Sequence, residues 1–454
     1  MYPEGRSLSF PATVQVHTEP DWKVATAMAR GAAPGTYGEK NFHDLVDMPF
    51  FVGAFDYDSM NVDGINVKLA TYPAGALEGE ARAAFWEGYA KLFAPQGAVF
   101  GEIPFTSYLT LQVFDKEFGG GSALEHQRSH LGIYTPEAIG QPWYLSVTAH
   151  EMFHAWNVKR LRPAEMVPYR YDVAQPTPWL WVSEGITDYY ADLTVVRAGL
   201  VDSSAFLGLT HDKILQVDET APVALEDASI NTWIHPTDGT GYLYYPKGSL
   251  AGFMLDVMIR HASGNRRSLD DVMRAAYRTT YKAGRGFNST DWWTAVRPAA
   301  GRSFPDFYER FIDGRDPFPW DSVLPLAGII RRADSSYVPR LGVETRADSN
   351  GVVVLNLMPD GPGARAGLQP GDQLLALGDV TMADGASWEL FRSRYADKDG
   401  ADLPIKVKRD GQTLTLKGKV ALTTVIEHSL GFDPNPSALA ATIRHGILAG
   451  TTSR

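Results

Sequence analysis

The order of hydrophobic and polar positions predicts a strand-rich first part of the chain followed by a helical part. Residues 12–16 and 67–71 alternate between apolar and polar side chains, the pattern of half-buried strands. One helical pattern, residues 80–92, lies among these strands. Apolar positions then recur at helical spacing over 248–312, where helices dominate.

From about residue 335 the pattern changes to short alternating strands. Turns rich in glycine and proline separate them, as at 359–363 and 370–372. Asp410-Gly411 between two alternating runs is a hairpin signal. The pattern predicts a small β-rich domain of about 90 residues. A short helical pattern at 438–448 follows, in a segment that we interpret as a C-terminal tail.

Two helices in the middle of the chain have clear end signals. Pro142 is suited to the first position of a helix, because the missing N–H would be unpaired there anyway. A second helix is predicted over 184–198, with Ser183 as its N-cap and Gly199 just after its end.

Composition narrows the possible partners and ligands. The chain has 454 residues and a net charge of -11, which argues against nucleic acid or an anionic membrane as the main partner. It has no cysteine, so a metal site must use histidine and carboxylate ligands. No apolar run is long enough to span a membrane, and the start lacks the apolar core of a signal peptide. We expect a soluble protein, cytoplasmic or periplasmic.

The first helix carries the most informative motif. His150-Glu151-Met152-Phe153-His154 reads H-E-x-x-H, and residues four apart lie on the same helix face. Both imidazoles can therefore bind one zinc ion, and Glu151 is the candidate general base. The alternative is a chance match on an ordinary amphipathic helix.

The second helix supplies the candidate third ligand. A catalytic zinc needs three protein ligands and one open position, and Glu184 lies near a helix start. Asp188, one turn further on, suits an outer role in which it accepts a hydrogen bond from a ligating imidazole. The alternative is that Glu184 only stabilises the helix N-terminus electrostatically.

These motifs resemble those of thermolysin-like zinc peptidases, the gluzincins. The motif continues as Ala-Trp-Asn-Val-Lys-Arg over 155–160, which is similar to the glycyl aminopeptidases that carry a PDZ domain. Residues 245–248 resemble the Tyr-x-Lys-Gly segment of the related aminopeptidase N family. The resemblance implies that Tyr245 donates a hydrogen bond to the oxyanion. It also implies that Glu125, in Leu-Glu-His after a glycine-rich loop, holds the free α-amine of the substrate.

The C-terminal β-rich domain resembles a PDZ domain. Leu341, Gly342 and Val343 match the loop whose backbone N–H groups bind a peptide carboxylate, so peptide C-termini are possible partners. The alternative is a packing module without a ligand.

The resemblance also implies a larger N-terminal β domain, so the chain looks shortened at its start. We expect an α+β multidomain protein with a thermolysin-like catalytic domain, in which a mixed β-sheet lobe and a helical lobe precede a PDZ domain. The predicted domains are an N-terminal β remnant at 1–48, the catalytic domain at 49–325, the PDZ domain at 335–425 and a tail with a short helix at 426–454.

The function that follows is that of an aminopeptidase with one zinc per chain, acting on peptides with a small first residue such as glycine or alanine. A zinc endopeptidase of the same fold is the first alternative, in which Glu125 holds no terminus. A peptide-binding PDZ scaffold with a vestigial peptidase site is the second.

Overall fold

The computed structural model describes residues 8–300, 304–348 and 351–453. Two compact units divide the chain. The first contains the chain up to Ile330 and also the residues from Leu430 onward. The second contains Arg331–Ser429. The chain therefore leaves the first unit, forms the second and returns, which the sequence pattern did not indicate.

The first unit opens with short strands, as the alternating pattern predicted. Its elements are β1 (Ala12–Gln15), β2 (Lys23–Ala25), β3 (Ala29–Arg30), β4 (Thr36–Glu39), α1 (Phe42–Val46) and β5 (Phe51–Gly53). β4 pairs with β1 and β3, and β2 pairs with β5. Ala25 and Phe55 are buried against Ala70, Leu109 and Leu111 of the following sheet. The N-terminal segment thus covers one face of that sheet.

Among the described residues, five strands form a mixed sheet in the order β6-β7-β8-β10-β9. The elements are β6 (Asp56–Val62), β7 (Ile65–Tyr72), α2 (Gly79–Lys91), α3 (Phe93–Phe100), β8 (Ser107–Phe114), β9 (Gly121–His126) and β10 (Ser129–Tyr134). β7, β8 and β10 run parallel, whereas β6 and β9 are antiparallel edge strands. Val67 and Leu69 face the main core, and Ala70 faces the N-terminal segment. An edge strand such as β9 can pair with an added peptide.

The helical part packs around large aromatic side chains, of which Trp156, Trp181 and Trp292 are fully buried. Its elements are α4 (Pro142–Phe153), a π-helical turn (Trp181–Ile186), α5 (Thr187–Arg197), α6 (Ser203–Asp218), α7 (Leu225–Asn231), α8 (Pro246–Ser263), α9 (Leu269–Thr279), α10 (Ser289–Ala300), α11 (Pro305–Phe307), a second π-helical turn (Tyr308–Ile312) and α12 (Trp320–Val323). None of the helices in the described ranges is long and apolar enough to cross a membrane.

The second unit is β-rich, as predicted. Its elements are β11 (Ile329–Pro339), β12 (Val343–Asp348), β13 (Gly351–Leu357), α13 (Pro362–Ala366), β14 (Gln373–Leu377), β15 (Val380–Thr381), α14 (Ser387–Arg394), β16 (Asp402–Arg409), β17 (Gln412–Lys419) and β18 (Leu422–Phe432). β12 to β17 form one sheet, and β11 pairs with β18 where the chain enters and leaves the unit. Leu374, Ile405 and Val407 are fully buried, so this unit has a core of its own.

The last helix, α15 (Ala438–Ala449), belongs to the first unit. Ile443 is fully buried in the main core, and Arg197 donates from Nη2 to the carbonyl of Ile447 at 2.9 Å. Arg260 donates from Nη1 to the carbonyl of Thr451 at 2.8 Å. The interpretation of 426–454 as a tail omitted this packing, because a short helical pattern alone does not reveal what it contacts.

Candidate active site

Helix α4 begins at Pro142, as predicted, and carries His150 near its end. His154 is the residue that caps it. Because they lie one turn apart, their ring centroids are 4.6 Å from each other. Both are buried, with exposed fractions of 9% and 1%. Two imidazoles in a buried place need polar partners, and the surrounding residues supply them.

The ring of His154 is fixed by a backbone carbonyl. Its Nδ1 lies 2.7 Å from the carbonyl oxygen of Asn157, so Nδ1 carries the proton and Nε2 offers its lone pair. The Asn157 side chain donates from Nδ2 to the carbonyl of Val182 at 2.8 Å and to Thr187 Oγ1 at 3.0 Å. Asn157 thereby ties the end of α4 to the turn that carries Glu184. The sequence analysis did not identify this role.

Glu184 lies inside the π-helical turn rather than at a capped helix start. Ser183, predicted as the N-cap, is buried within that turn, and α5 begins only at Thr187. The backbone of this turn packs closely against α8: a Cβ on Gly185 would lie 2.5 Å from the Cα of Gly248. Two facing glycines permit this contact. π-helical turns are frequent at functional sites.

The donor atoms of His150, His154 and Glu184 have the spacing that one zinc ion requires. Glu184 Oε2 is 3.3 Å from His150 Nε2 and 3.2 Å from His154 Nε2. Tetrahedral zinc with ligands about 2.0–2.2 Å away places neighbouring donors about 3.3 Å apart. All three ligand atoms lie within 4.8 Å of one another. Two imidazoles and one carboxylate form a donor set that fits catalytic zinc.

Asp188 lies on the other side of the His150 ring, with Oδ1 3.6 Å from Nδ1. Its second oxygen contacts Lys213 Nζ at 2.6 Å, and Lys213 also contacts Asp192 at 2.6 Å. Burial disfavours the imidazolium, but the carboxylates of Asp188 and Glu184 raise the pKa of His150 to about 10. Lys213 is a link that the sequence analysis missed. Phe206, Thr210 and Ile214 are the buried face of α6, and Lys213 lies on that face. A lysine on the buried face of a helix indicates a charged partner inside the protein.

The carboxylate of Glu151 lies beside His154, within 4.8 Å of its ligand nitrogen. It is 6% exposed, and its Oε2 has no hydrogen-bond partner among the described residues. Burial raises the pKa of Glu151 to about 7, although the nearby histidines oppose the rise. A buried carboxylate oxygen without a partner calls for a ligand or water. This is the property expected of a group that takes a proton from water.

Glu125, on edge strand β9, lies within 4.8 Å of the ligand atoms of Glu151 and His154. Lys159 Nζ is 3.9 Å from Glu125 Oε1, but it is closer to Asp47 Oδ1, at 2.7 Å. Lys159 is therefore shared between Glu125 and Asp47 of the N-terminal segment.

Tyr245 precedes α8, and its ring centroid is 5.9 Å from that of His150. Burial raises the pKa of Tyr245 well above its usual value, with the Glu184 carboxylate adding to the effect. The phenol therefore keeps its proton and can donate it in a hydrogen bond. Lys247, two residues further on, is buried and donates to the carbonyl of Val223.

In the second unit, Leu341, Gly342 and Val343 line a cavity of about 450 Å³. Trp388 and Arg392 of α14 line it as well. Gly342 adopts a φ of 66°, a left-handed conformation that favours glycine.

Comparison with known proteins gives matches to three family models. Residues 143–251 match the M61 glycyl aminopeptidase model, 1–54 the peptidase M61 N-terminal domain and 339–420 the PDZ domain. None of the curated proteins gives a match.

Among solved structures, an aminopeptidase N family protein from Idiomarina loihiensis has a TM-score of 0.73 and 24% identity, over 96% of this chain and 80% of that one. This likeness shows the fold. An M1 zinc metallopeptidase from Deinococcus radiodurans reaches a TM-score of 0.43 at 16% identity, over 64% of this chain and 60% of that one, which is too low to support an argument. The family matches support a peptidase. They confirm the resemblance first indicated by the motifs: the chain has the catalytic and N-terminal signatures of the M61 glycyl aminopeptidases, together with a PDZ domain.

Proposed function

We propose that the protein is a zinc-dependent aminopeptidase that removes small N-terminal residues from peptides. The observation that carries the proposal is the overlap of two clusters. His150, His154 and Glu184 form a donor set for one zinc, and the carboxylates of Glu125 and Glu151 gather around His154. A peptidase needs a base beside its metal ligands. An aminopeptidase also needs an anion at a short, fixed distance to receive the terminal amine.

Zinc bound by this donor set lowers the pKa of a water molecule and polarises a carbonyl group. Glu151 then has the role of proton carrier: its carboxylate takes a proton from the attacking water and delivers it to the leaving amine nitrogen. Its unpartnered buried oxygen supports this role. Tyr245 donates its phenol hydrogen to the carbonyl oxygen, where negative charge develops. Its raised pKa keeps that hydrogen in place.

Edge strand β9 supports the mode of substrate binding. A peptide that pairs with β9 runs beside Glu125, which lies near the end of that strand. Glu125 would accept hydrogen bonds from the free α-amine, and the position of the first residue would thereby be fixed relative to Glu151. The preference for glycine or alanine rests on the family resemblance alone.

The test of the aminopeptidase proposal is kcat/KM on glycyl, alanyl, leucyl and acetyl-glycyl amides. Glu125 is 19% exposed and lies 3.9 Å from Lys159, so loss of the substrate's cation costs about 1–2 kcal/mol, and we expect acetylation to lower kcat/KM by about five- to thirtyfold. Glu125→Gln should remove most of this discrimination. The matched control is Glu117→Gln, which changes an exposed carboxylate in the preceding turn. Equal rates on acetylated and free substrates would establish the endopeptidase alternative instead.

The zinc proposal has an independent test that needs no activity. Metal content and zinc affinity, measured by competition with a chelator, should give one zinc per chain. His154→Ala should lose it, because two of three ligands rarely hold zinc in a catalytic site. Unchanged stoichiometry in this variant would reject the assigned ligands.

The cavity beside Leu341, Gly342 and Val343 supports a second binding event, that of peptide C-termini. A peptide there would add a strand to β12, with its carboxylate at the loop. Titration with a labelled peptide carrying a free or an amidated C-terminus separates this from a packing role. Equal affinity for both forms would contradict it.

A further inference from the structure

A cavity of the first unit lies between the N-terminal segment and the five-stranded sheet. Its volume is about 830 Å³, within the range of small-molecule pockets. One wall is residues 24–30 of the N-terminal segment, and another is residues 103–107, which lead into β8. Tyr37 and Tyr57 provide apolar ring surface on its lining. None of the residues assigned to the zinc site lines it.

All the charged side chains that line this cavity are positive. Five cationic side chains line it, and none of its lining residues is an aspartate or glutamate. The chain as a whole has a net charge of -11, so a purely basic cavity is the reverse of the average surface. The cationic residues are Arg30, Lys40, Lys68, Arg128 and Arg160.

Only part of this charge is neutralised by neighbours outside the lining. Arg128 pairs with Glu39, and Lys40 lies 3.5 Å from Asp44. Arg30 and Lys68, in contrast, have no ion pair or side-chain hydrogen bond within the described part of the chain. Burial lowers the pKa of Lys68, and the charges of Arg30 and Arg128 lower it further. These cations repel one another across the cavity.

Arg160 adds a buried donor without an acceptor. The residue is 7% exposed and donates from Nη1 to the carbonyl of Gln127 at 2.9 Å, but its Nε has no partner among the described residues. An unpaired N–H on a buried guanidinium is costly, because its lost hydration is not replaced. This Nε is enclosed by the protein, and the Nη atoms donate to the carbonyls of Gln127, Ala155 and Pro104, so Arg160 contributes positive charge to the cavity rather than a free donor.

We propose that this cavity binds a small organic molecule carrying at least two negative charges, with Arg30 and Lys68 as its anion-binding residues and Arg160 adding positive charge from the cavity wall. Guanidinium groups bind phosphate and carboxylate through paired hydrogen bonds, and a lysine adds a point charge. A phosphate monoester and a dicarboxylate both carry this chemistry. The tyrosine rings leave apolar surface for the organic part. This site is separate from the proposed zinc site and does not depend on the proposed function.

The probes are inorganic phosphate, adenosine monophosphate and succinate, each compared with chloride at matched ionic strength. Binding to the full zinc-loaded chain is measured by calorimetry and by the rise in melting temperature. Arg30→Gln/Lys68→Gln should weaken the binding of the responding probe by at least about tenfold, because two charged contacts to the anion are lost. The control Lys406→Gln/Lys408→Gln makes the same charge change on exposed residues of the second unit and should bind like the wild type.

A stability measurement separates an anion site from a structural role. Without anion, Arg30→Gln/Lys68→Gln should melt no lower than the wild type, because it removes two repelling charges. The charge-preserving variant Arg30→Lys/Lys68→Arg should keep saturable binding. A response to the phosphate probes alone identifies a phosphate site, and a response to succinate identifies a carboxylate site. The proposal is overturned if no probe binds saturably at millimolar concentration, or if the Gln variant binds as tightly as the wild type.

Discussion

Replacing Lys213 by methionine should destabilise the first unit and weaken zinc binding together. Lys213 Nζ lies 2.6 Å from both Asp188 and Asp192, and it donates to Ser249 Oγ at 2.9 Å. The lysine side chain is 14% exposed, and those of the two aspartates are 25% and 5% exposed. Methionine keeps the length of the side chain but removes the cation that the two carboxylates share.

The magnitude follows from the burial of the pair. Removal of one partner from a buried ion pair costs about 3–5 kcal/mol, because the other charge stays buried and unpaired. We expect this loss in the free energy of unfolding of the first unit. Asp188 also lies against the His150 ring, and changes in such outer partners typically lower metal affinity about ten- to hundredfold.

The pH dependence of this loss has a defined sign. Burial opposes ionisation, yet the charge of Lys213 and the contact with His150 lower the pKa of Asp188 from 3.8 to about 2. A lowered folded-state pKa gives stability that is present above 3.8 and is lost as the pH falls towards 2. Burial raises the pKa of Asp192 above 3.8 even beside Lys213, and loss of the lysine raises it further, so the difference between wild type and Lys213→Met should be largest at neutral and higher pH and, as the pH falls, should begin to shrink already above pH 4.

The assay is urea unfolding of the metal-free protein, followed by zinc titration against a competing chelator. Lys91→Met is the matched control, since Lys91 forms an exposed pair with Glu87 at 2.8 Å. Such surface pairs contribute about 0–1 kcal/mol. Lys213→Met/Asp192→Leu should recover part of the lost stability, because one of the two unpaired carboxylates is gone. If Lys213→Met loses no more stability than Lys91→Met and binds zinc as tightly as the wild type, the reasoning is refuted.

Four other predictions follow from the site and the domain order. Glu151→Gln should keep zinc but lower kcat by about 10²–10⁴-fold, and a near-normal kcat in zinc-loaded protein would exclude Glu151 as the base. Tyr245→Phe should lower kcat by about 10²–10³-fold with little change in KM, whereas a change in KM alone would indicate substrate positioning. Zinc binding should release a proton, because the pKa of His150 is raised to about 10 without metal. Calorimetry in two buffers of different ionisation enthalpy measures the number of protons released, and the zinc affinity should fall as the pH falls. Excision of 341–420, with a short linker joining the cut ends, should spare zinc binding and the hydrolysis of small amides. The cut ends are adjacent, since Arg340 N donates to Ala421 O at 3.0 Å. Truncation at 335 should instead destabilise the protein, because it removes α15 from the first unit.

Local signals were sufficient for the parts of the fold that depend on neighbouring residues. The start of α4 at Pro142 was predicted, because a proline at the first helical position is a local property. The β-rich character of the second unit was also predicted, since alternation and turn residues are read within a few positions. The clustering of His150 and His154 follows from helix geometry alone.

The remainder depends on contacts between distant segments. The π-helical turn around Glu184 contains Gly185, which packs closely against Gly248, 63 positions later, and no local signal predicts that contact. For the same reason Asn157 was read as part of a motif rather than as a link to Thr187. The packing of α15 on the first unit depends on Arg197 and Arg260, far earlier in the chain.

The N-terminal segment shows why such contacts matter for the proposed chemistry. A cation of the protein beside Glu125 competes with a substrate amine for that carboxylate. Lys159 is the nearby cation, and it lies 2.7 Å from Asp47 but 3.9 Å from Glu125. Asp47 also accepts a hydrogen bond from the backbone N–H of Gln127, two residues beyond Glu125. Asp47 of the N-terminal segment therefore does two things at once: it shares Lys159 with Glu125, and it anchors the strand end that carries the proposed amine-binding carboxylate.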